Sequence, residues 1–561
     1  MDNLQTKISF VEADARERAK QLLDSDSFHE FLGPFDRFTS PHLEKQGIVP
    51  QSDDGVIVAK GTIDREPSVV ISIESAFQGG GIGEISGAKI AAALELTLKD
   101  NKNNIKTHPV IILDTGGVRL QEANYGLLAI AEIQTAVIEL RSYVPVIGVI
   151  PGKIGSFGGM SITAGLFSTL IMTAEGRLGL NGPEVIEQEA GITELDSRNR
   201  PLIWGSIGGY QRVATSLADV LVEDDCAQIT AAVQKALTEV PSKPKAEQIE
   251  RFRIILNYLN PNEYISPSYF RELTSSSHSL LETKGQKPNP KIRNRAQQWF
   301  YALTSLKPKT KVTPTVWSGD TKLGSDMARF ISIGPDPEHR FPRVREGEVG
   351  LEEGWAVAHS VSEVVKADEE NEVRRPIIAL VDVPSQAYGY VEELSGLHQA
   401  CAAAVNAYAK ARLAGHPVIS LLVGKAISGA FLTHGLQANR LIALNDEKVN
   451  VHVMSKGSAA RITRRSIEEL EQITENIPAM AYDIQSFQTL GALHEVIGKV
   501  DADNPTEENI KLIRQKLKDT IANIRTKGDT DLRIRLDSSL ARRGRAASHQ
   551  VRDMMQKQWY V

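Results

Sequence analysis

Pro145–Gly159, PVIGVIPGKIGSFGG, is the stretch from which the rest of the chain can be read. Val146 to Ile150 is a short apolar run rich in β-branched residues, the pattern of a strand buried on both faces. The loop after it carries Gly155, Gly158 and Gly159, so no side chain there holds a ligand away from the backbone. A mostly apolar helical run, Met160 to Phe167, follows at once. A strand, a bare turn and a helix start leave several backbone N–H groups unpaired and converging. Such a nest suits an anion, or an oxygen that gains charge during a reaction.

Toward the N-terminus, residues 11–31 read as a helix and its exit, and Val56–Thr62 and Ser68–Ser75 as strands. Ala88–Leu98 is a strong helix former, and Pro109–Leu113 is a buried strand closing on Asp114-Thr115-Gly116-Gly117. Leu127–Leu140 is helical. Thr169–Thr173 and Arg177–Leu180 read as strands before Asn181-Gly182-Pro183 opens a helix with proline at its first position. Residues 275–294 are polar, contain Gly285, Pro288 and Pro290, and read as a linker. Beyond them the same order returns with little shared sequence. PIIALVDVPSQ (376–386) replaces PVIILDTGG (109–117), and His398–Leu413 is the next helix. HPVISLLVGKAISGAF (416–431) then replaces the opening stretch, and LIALNDEKVNVHVMSKGSA (441–459) replaces LIMTAEGRLGLNGPEV (170–185). The expected fold is α/β, two homologous domains of stacked βαβ units at 1–274 and 295–561.

Bulk properties narrow the function. A chain of 561 residues exceeds one core. A formal charge of −6 offers no basic excess for nucleic acid. The two cysteines, Cys226 and Cys401, sit in separate halves and give neither a disulfide framework nor a zinc motif, which fits a reducing compartment. No apolar run approaches a bilayer span and Met1–Phe10 has no secretory pattern, so no membrane span and a cytoplasmic location are expected.

Gly158-Gly159 and Ser428-Gly429-Ala430 hold matched places at strand-to-helix junctions. Small residues there can simply let a helix approach a sheet, but two at matched positions favour a site. Asp114–Gly117 sets a second strand-end turn beside the first, which makes Gly116 and Gly117 candidates for the second donor of an oxyanion hole. QGGGIGEISG (78–87) follows a strand and precedes a helix, so a dinucleotide reading arises, with Asp114 as the ribose acid. Its spacing differs from GxGxxG, and Gly116-Gly117 crowd directly after that acid. No GxSxG, no HExxH and no histidine pair of metal-like spacing occurs, and His398, His434 and His452 read as packed. Tyr388 and Tyr390 lie on a loop after a buried strand, where ligands usually bind. Arg461, Arg464 and Arg465, then Arg533, Arg535, Arg542, Arg543 and Arg545, read as solvated faces or as a landing site for an acidic carrier or a phosphate-rich cofactor. This scarcity of nucleophiles and bases fits chemistry driven by stabilising an enolate.

The motifs also carry a family resemblance. DTGGVRLQEA (114–123) resembles the DSGGARxQEG signature of the carboxyltransferase branch of the crotonase superfamily. LNGPEVIEQ (180–188) resembles its GPRVIEQ, GSFGGM (155–160) its glycine-pair turn, and RERAKQLLDSDSF (16–28) its RIxxLLDxGSF opening. VDVPSQAYG (381–389) is similar to DTPGAYPG, and GKAISGAF (424–431) to the GxxxSGGA and KAYGGAY turns. Within that branch the chain most resembles biotin-independent malonate decarboxylases, with beta and gamma subunits fused.

The resemblance implies two crotonase-like ββα-spiral domains meeting face to face. It implies loss of CO2 from a malonyl-S-acyl carrier protein to leave the acetyl thioester. The acyl group would ride on the phosphoribosyl-dephospho-CoA arm of an acyl carrier subunit, or on CoA, and an acyl-carrier transferase subunit would be a further partner. A homo-oligomer is expected, with no metal and no biotin on this chain. Backbone amides at Gly116, Gly117, Gly158, Gly159, Ser428, Gly429 and Ala430 would hold the thioester oxygen and substrate carboxylate. Tyr388 or water would supply the final proton, and Gly80, Gly81, Gly83, Gly182 and Pro183 would border the cofactor arm. Ser385 departs from the DxPG turn, and neither a four-cysteine zinc finger nor an AMKM biotin site is present. The alternatives are a carboxyltransferase working with biotin on another protein, and a non-catalytic acyl-carrier-binding scaffold.

Overall fold

Two seven-stranded sheets, one from each half of the chain, dominate the computed structural model. It describes residues 7–239, 243–276, 291–307, 313–463, 465–474 and 477–560. In the first sheet the strands lie in chain order: β1 (His29–Phe31), β2 (Val56–Ile63), β3 (Glu66–Ile73), β4 (His108–Ile112), β5 (Ile147–Ile150), β6 (Thr169–Thr173) and β7 (Val220–Val222). β2 and β3 form an antiparallel hairpin around Asp64 and Arg65, whose φ values of 49° and 66° match the twist-compatible two-residue turn. From β3 onward every pairing is parallel. β4 and β5 are buried at every residue, as strands covered by helices on both faces must be.

The second sheet repeats the plan. β8 (Val316–Leu323) and β9 (Asp326–Ile333) form the hairpin. β10 (Ile377–Val383), β11 (Val418–Ile427), β12 (Arg440–Leu444) and β14 (Leu493–Ile497) continue in parallel, and the short β13 (Asn450–His452) pairs with β11. Each half threads matching helices between these strands. In the first they are α1 (Ala15–Leu22) before the sheet, then α2 (Glu84–Lys102), α3 (Asn124–Leu140), α4 (Gly158–Ala164) and α5 (Pro183–Ala190). In the second they are α6 (Leu351–Ala367), α7 (Leu397–Leu413) and α8 (Ser428–Thr433), with α9 (Ala546–Gln558) near the C-terminus.

The halves meet through α3 and α4 on one side and α7 and α8 on the other. α7 is rich in buried alanines because it is packed from several directions: Gly354 of α6 lies against Ala400, and Gly165 after α4 against Ala402. One hydrophobic core runs through both halves. Arg177–Leu180, read above as a strand, makes only isolated bridges, Leu178 to Ser156 and Arg177 to Gly208. The chain there crosses the strand ends and bonds to two different loops, so no ladder can extend. Most of the linker expected at 275–294, residues 277–290, lies outside the described residues. Among the described residues no helix is long and apolar enough to cross a membrane.

Candidate active site

A cavity of about 340 Å³ opens between the two halves at the start of α4. On the first-half side, Gly158 begins α4 with φ +57°, and its N–H donates to Leu180 O at 2.9 Å. Gly159 is the second helical residue, and its N–H has no acceptor in its own helix or elsewhere among the described residues. The neighbouring turn approaches so closely that a Cβ on Gly158 would stand 3.1 Å from Gly117 Cα. Gly116 N–H donates to Gly79 O at 2.9 Å and Gly117 N–H to Thr115 Oγ1 at 3.0 Å. Val118, next in the chain, lines the cavity, and its N–H has no acceptor among the described residues. Two open amides, Val118 and Gly159, therefore border one cavity.

The second half reproduces this turn but closes it. Ser428 begins α8 at φ +61°, the counterpart of Gly158. Gln386 bridges to Val349 as Val118 bridges to Ile82, so Gln386 is the counterpart of Val118. Its Oε1 accepts the Gly429 N–H at 3.1 Å, and its Nε2 donates to Asn181 Oδ1 at 2.8 Å. Where valine leaves the first turn open, glutamine caps the second with its own amide.

A buried carboxylate ties the halves together at this point. Glu393 accepts the N–H groups of Leu180 at 2.9 Å and Asn181 at 2.8 Å, and Asn181 Nδ2 at 3.0 Å. Burial pushes its carboxyl up to about 7, against the opposing pull of these donors and of Arg212. Glu392 beside it is pushed up to about 8, again by burial. Leu180 in turn supplies the carbonyl that holds Gly158, so Glu393 fixes the cavity floor from the opposite half.

Residues 344–559 match the malonate decarboxylase gamma subunit family, and residues 12–266 match the carboxyl transferase domain family. The malonyl-S-ACP:biotin-protein carboxyltransferase MADC of Malonomonas rubra is 42% identical over 257 residues, 44% of this chain and 79% of that protein. The chain belongs to the malonate decarboxylase family. MADD of the same organism is 37% identical over 195 residues, 34% of this chain and 67% of MADD. A chain of a Pseudomonas malonate decarboxylase hetero-tetramer crystallised with malonate is 52% identical, covering 48% of this chain and 98% of that one, with a TM-score of 0.47. In this malonate decarboxylase family member, beta-like and gamma-like carboxyltransferase halves are fused in one enzyme chain.

Of the residues singled out from the sequence of this malonate decarboxylase family member, Gly116, Gly158, Gly159, Gly182, Pro183, Ser428 and Gly429 line the cavity. Gly117 and Ala430 lie beside it without lining it. Gly80, Gly81 and Gly83 are buried against the 114–122 segment: a Cβ on Gly80 would stand 2.2 Å from Asp114 O, and one on Gly83 would stand 2.0 Å from Glu122 Oε2. Their glycines serve this close approach. Tyr388 does not line the cavity, and burial beside Glu189 raises its phenol above its ordinary range. Asp114, the acid of the dinucleotide reading, is fully committed to Arg18 Nη1 at 3.0 Å and the N–H groups of Ile154 and Gly155 at 2.7 and 3.1 Å. It has nothing left for a ribose.

The basic clusters divide. Arg545 is buried and pairs with Glu132, and Arg535 is buried and donates to Leu436 O, while Arg533, Arg542 and Arg543 are exposed. Arg461 pairs with Glu189 and Arg465 donates to Gln46, while Arg464 lies outside the described residues. The landing site expected there from the C-terminal group is thus reduced to three arginines. His434 is held between Tyr408 and Leu380 O, as a packed histidine should be. No group of side chains suited to a metal ion occurs among the described residues. Val118, Gln386, Glu393 and Arg177, which also lines the cavity, were not singled out from the sequence.

Proposed function

We propose that the chain removes CO2 from a malonyl thioester presented by an acyl carrier protein, leaving the acetyl thioester, within a malonate decarboxylase assembly. The observation that carries this reading is the pair of acceptor-free amides, Val118 and Gly159, on one cavity between the halves. As the bond between the methylene carbon and the carboxylate breaks, its electron pair enters the thioester and charge collects on the carbonyl oxygen. Each well-aimed N–H at that oxygen lowers the barrier by about 3 to 4 kcal/mol. The methylene carbon then takes a proton from water, since Tyr388 stands away from the cavity lining. The carrier's arm, a phosphoribosyl-dephospho-CoA group or CoA itself, would run past Gly182 and Pro183 at the opening; it brings the acyl group in as a thioester, whose carbonyl can accept the electron pair.

A second reading, transfer of the carboxyl group to a biotin protein, is favoured by the names of the Malonomonas relatives. Both readings share the carbon–carbon cleavage and differ in the fate of CO2. Transfer needs a second place to hold the acceptor's carbonyl oxygen, and the matched turn that could do so is capped by Gln386. That supports release. The test is incubation of isotopically labelled malonyl carrier with this chain alone, followed by mass spectrometry of the carrier and trapping of CO2. Acetyl carrier and CO2 formed equally with and without avidin support the proposal. Dependence on an added biotin protein moves the assignment to transfer, and no cleavage under either condition refutes both.

A further inference from the structure

Among the described residues lining the cavity Arg177 is the cation, and no carboxylate forms an ion pair with it. Its guanidinium lies over the ring of Trp204, 4.7 Å from the centroid, and that of Phe157 at 5.7 Å. These faces fix the plane of the group but offer no hydrogen-bond acceptor. Among the described residues it has no ion pair and no side-chain hydrogen bond, and its Nε is buried without a partner. Glu184, at the exposed lip of the same cavity, influences it only at longer range. The buried Arg119 also has an Nε without a partner. It is nevertheless ion-paired with Asp54 and Glu122, as the buried Arg18 is with Asp114, whereas the half-buried Arg177 has no ion pair among the described residues. An arginine held by stacking, with its donors unspent on the wall of a ligand cavity, is a fork for an oxyanion.

We propose that Arg177 binds an oxyanion of the thioester substrate. This inference rests on the reading of the cavity as a malonyl-thioester site. Two parts of such a substrate carry the right chemistry: the malonyl carboxylate and the phosphates of the carrier arm. A cation on the carboxylate would hold the ground state, because that charge disappears with CO2, so it would set selectivity rather than speed. A cation on the phosphates would anchor a charge the reaction leaves untouched.

The two sources separate with two probes measured by calorimetry on the whole chain. Malonate has the carboxylate, no thioester and no phosphate, and coenzyme A has phosphates and no carboxylate. Arg177→Gln should bind one of them roughly tenfold or more weakly than wild type, and Arg177→Lys should fall between. Loss with the first probe assigns the carboxylate, and loss with the second assigns the phosphates. Wild-type affinity of Arg177→Gln for both overturns the proposal, as does failure of the wild-type chain to bind either. Should Arg177→Gln not fold, Arg177→Lys with unchanged affinity for both probes gives the same refutation. Because binding is read without turnover, a wild-type chain that binds but releases no CO2 would defeat the proposed function and leave Arg177 standing.

Discussion

At the scale of single residues, space around the first turn decides more than backbone angle. Ser428 occupies the left-handed region at φ +61°, so the fold tolerates a side chain in this conformation. Gly158 shares the angle but stands against backbone: a Cβ there would meet Gly117 Cα at 3.1 Å. Gly158→Ala should therefore part the two turns, displace the Gly159 and Val118 donors and lower kcat for CO2 release by about 100-fold. KM should change far less, and circular dichroism should report a folded protein; wild-type kcat would show that the turns do not form the oxyanion site. The glycine turns were legible in the sequence because small residues recur at matched strand ends in the two halves. Val118 was not, because its contribution is an amide that any residue carries. Gln386 and Glu393 were hidden for a different reason: each acts on a residue of the other half, more than 200 positions away for Glu393 and Leu180. Glu393 and its neighbour Glu392 make a pH prediction. Burial raises Glu392 to about 8 and Glu393 to about 7 from an ordinary value of 4.5. The unfolded chain loses these protons first, so the folded state holds more protons between about pH 4.5 and 8, and stability falls as pH rises through that window. Melting temperatures should show the decline, and Glu392→Gln should flatten it; an unchanged slope in the variant would reject the assignment.

At the scale of elements, periodicity located the strands and helices that are buried on all sides, since long apolar runs leave little choice. β6 was found at its observed ends, and α3 and α7 within a few residues. Elements held by the other half were less visible. α9 directly follows arginines that read as solvated faces or a landing site, yet it packs on α2 of the first half. Ser548 N–H, in α9, donates to Glu84 Oε1 at 2.9 Å, and Trp559 after it stacks on Phe31 at 5.0 Å. The hub is Glu132 in α3, which accepts from Arg545 at 2.7 Å and Arg552 at 2.7 Å. Burial alone would raise its carboxyl, but the two guanidinium groups outweigh that and hold it down at about 2. Glu132→Gln leaves the buried Arg545 without its counter-charge and Arg552 with Glu95 alone. The cost should be about 3 to 5 kcal/mol, read as a lower urea midpoint with the same m-value. A loss below about 1 kcal/mol would mean that the arginines find other acceptors, and that α9 is not clamped through this carboxylate.

For the molecule as a whole, the repeat was legible and the reason for it was not. Matching the order of elements predicts two similar domains, but only the packing of α3 and α4 against α7 and α8 shows that they share one core and one cavity. The proposed domains, 1–274 and 295–561, each bury these helices on the other. Separated, each would expose a broad apolar face of the kind that marks an obligate partner. We therefore expect the two segments, produced together as separate polypeptides broken within 277–290, to co-purify as a one-to-one complex. Such a complex should retain CO2 release within about tenfold of the intact chain, because joining the halves changes the effective concentration of partners and adds no group to the cavity. Produced alone, neither should bind or cleave a malonyl thioester, since Val118 and Gly159 come from the first half while Gln386 and Glu393, which fix the opposite wall, come from the second. Size-exclusion chromatography and activity of the separate and combined segments measure both claims. If the first segment alone cleaved the thioester at the intact rate, the second half would be a scaffold and the site would belong to one domain.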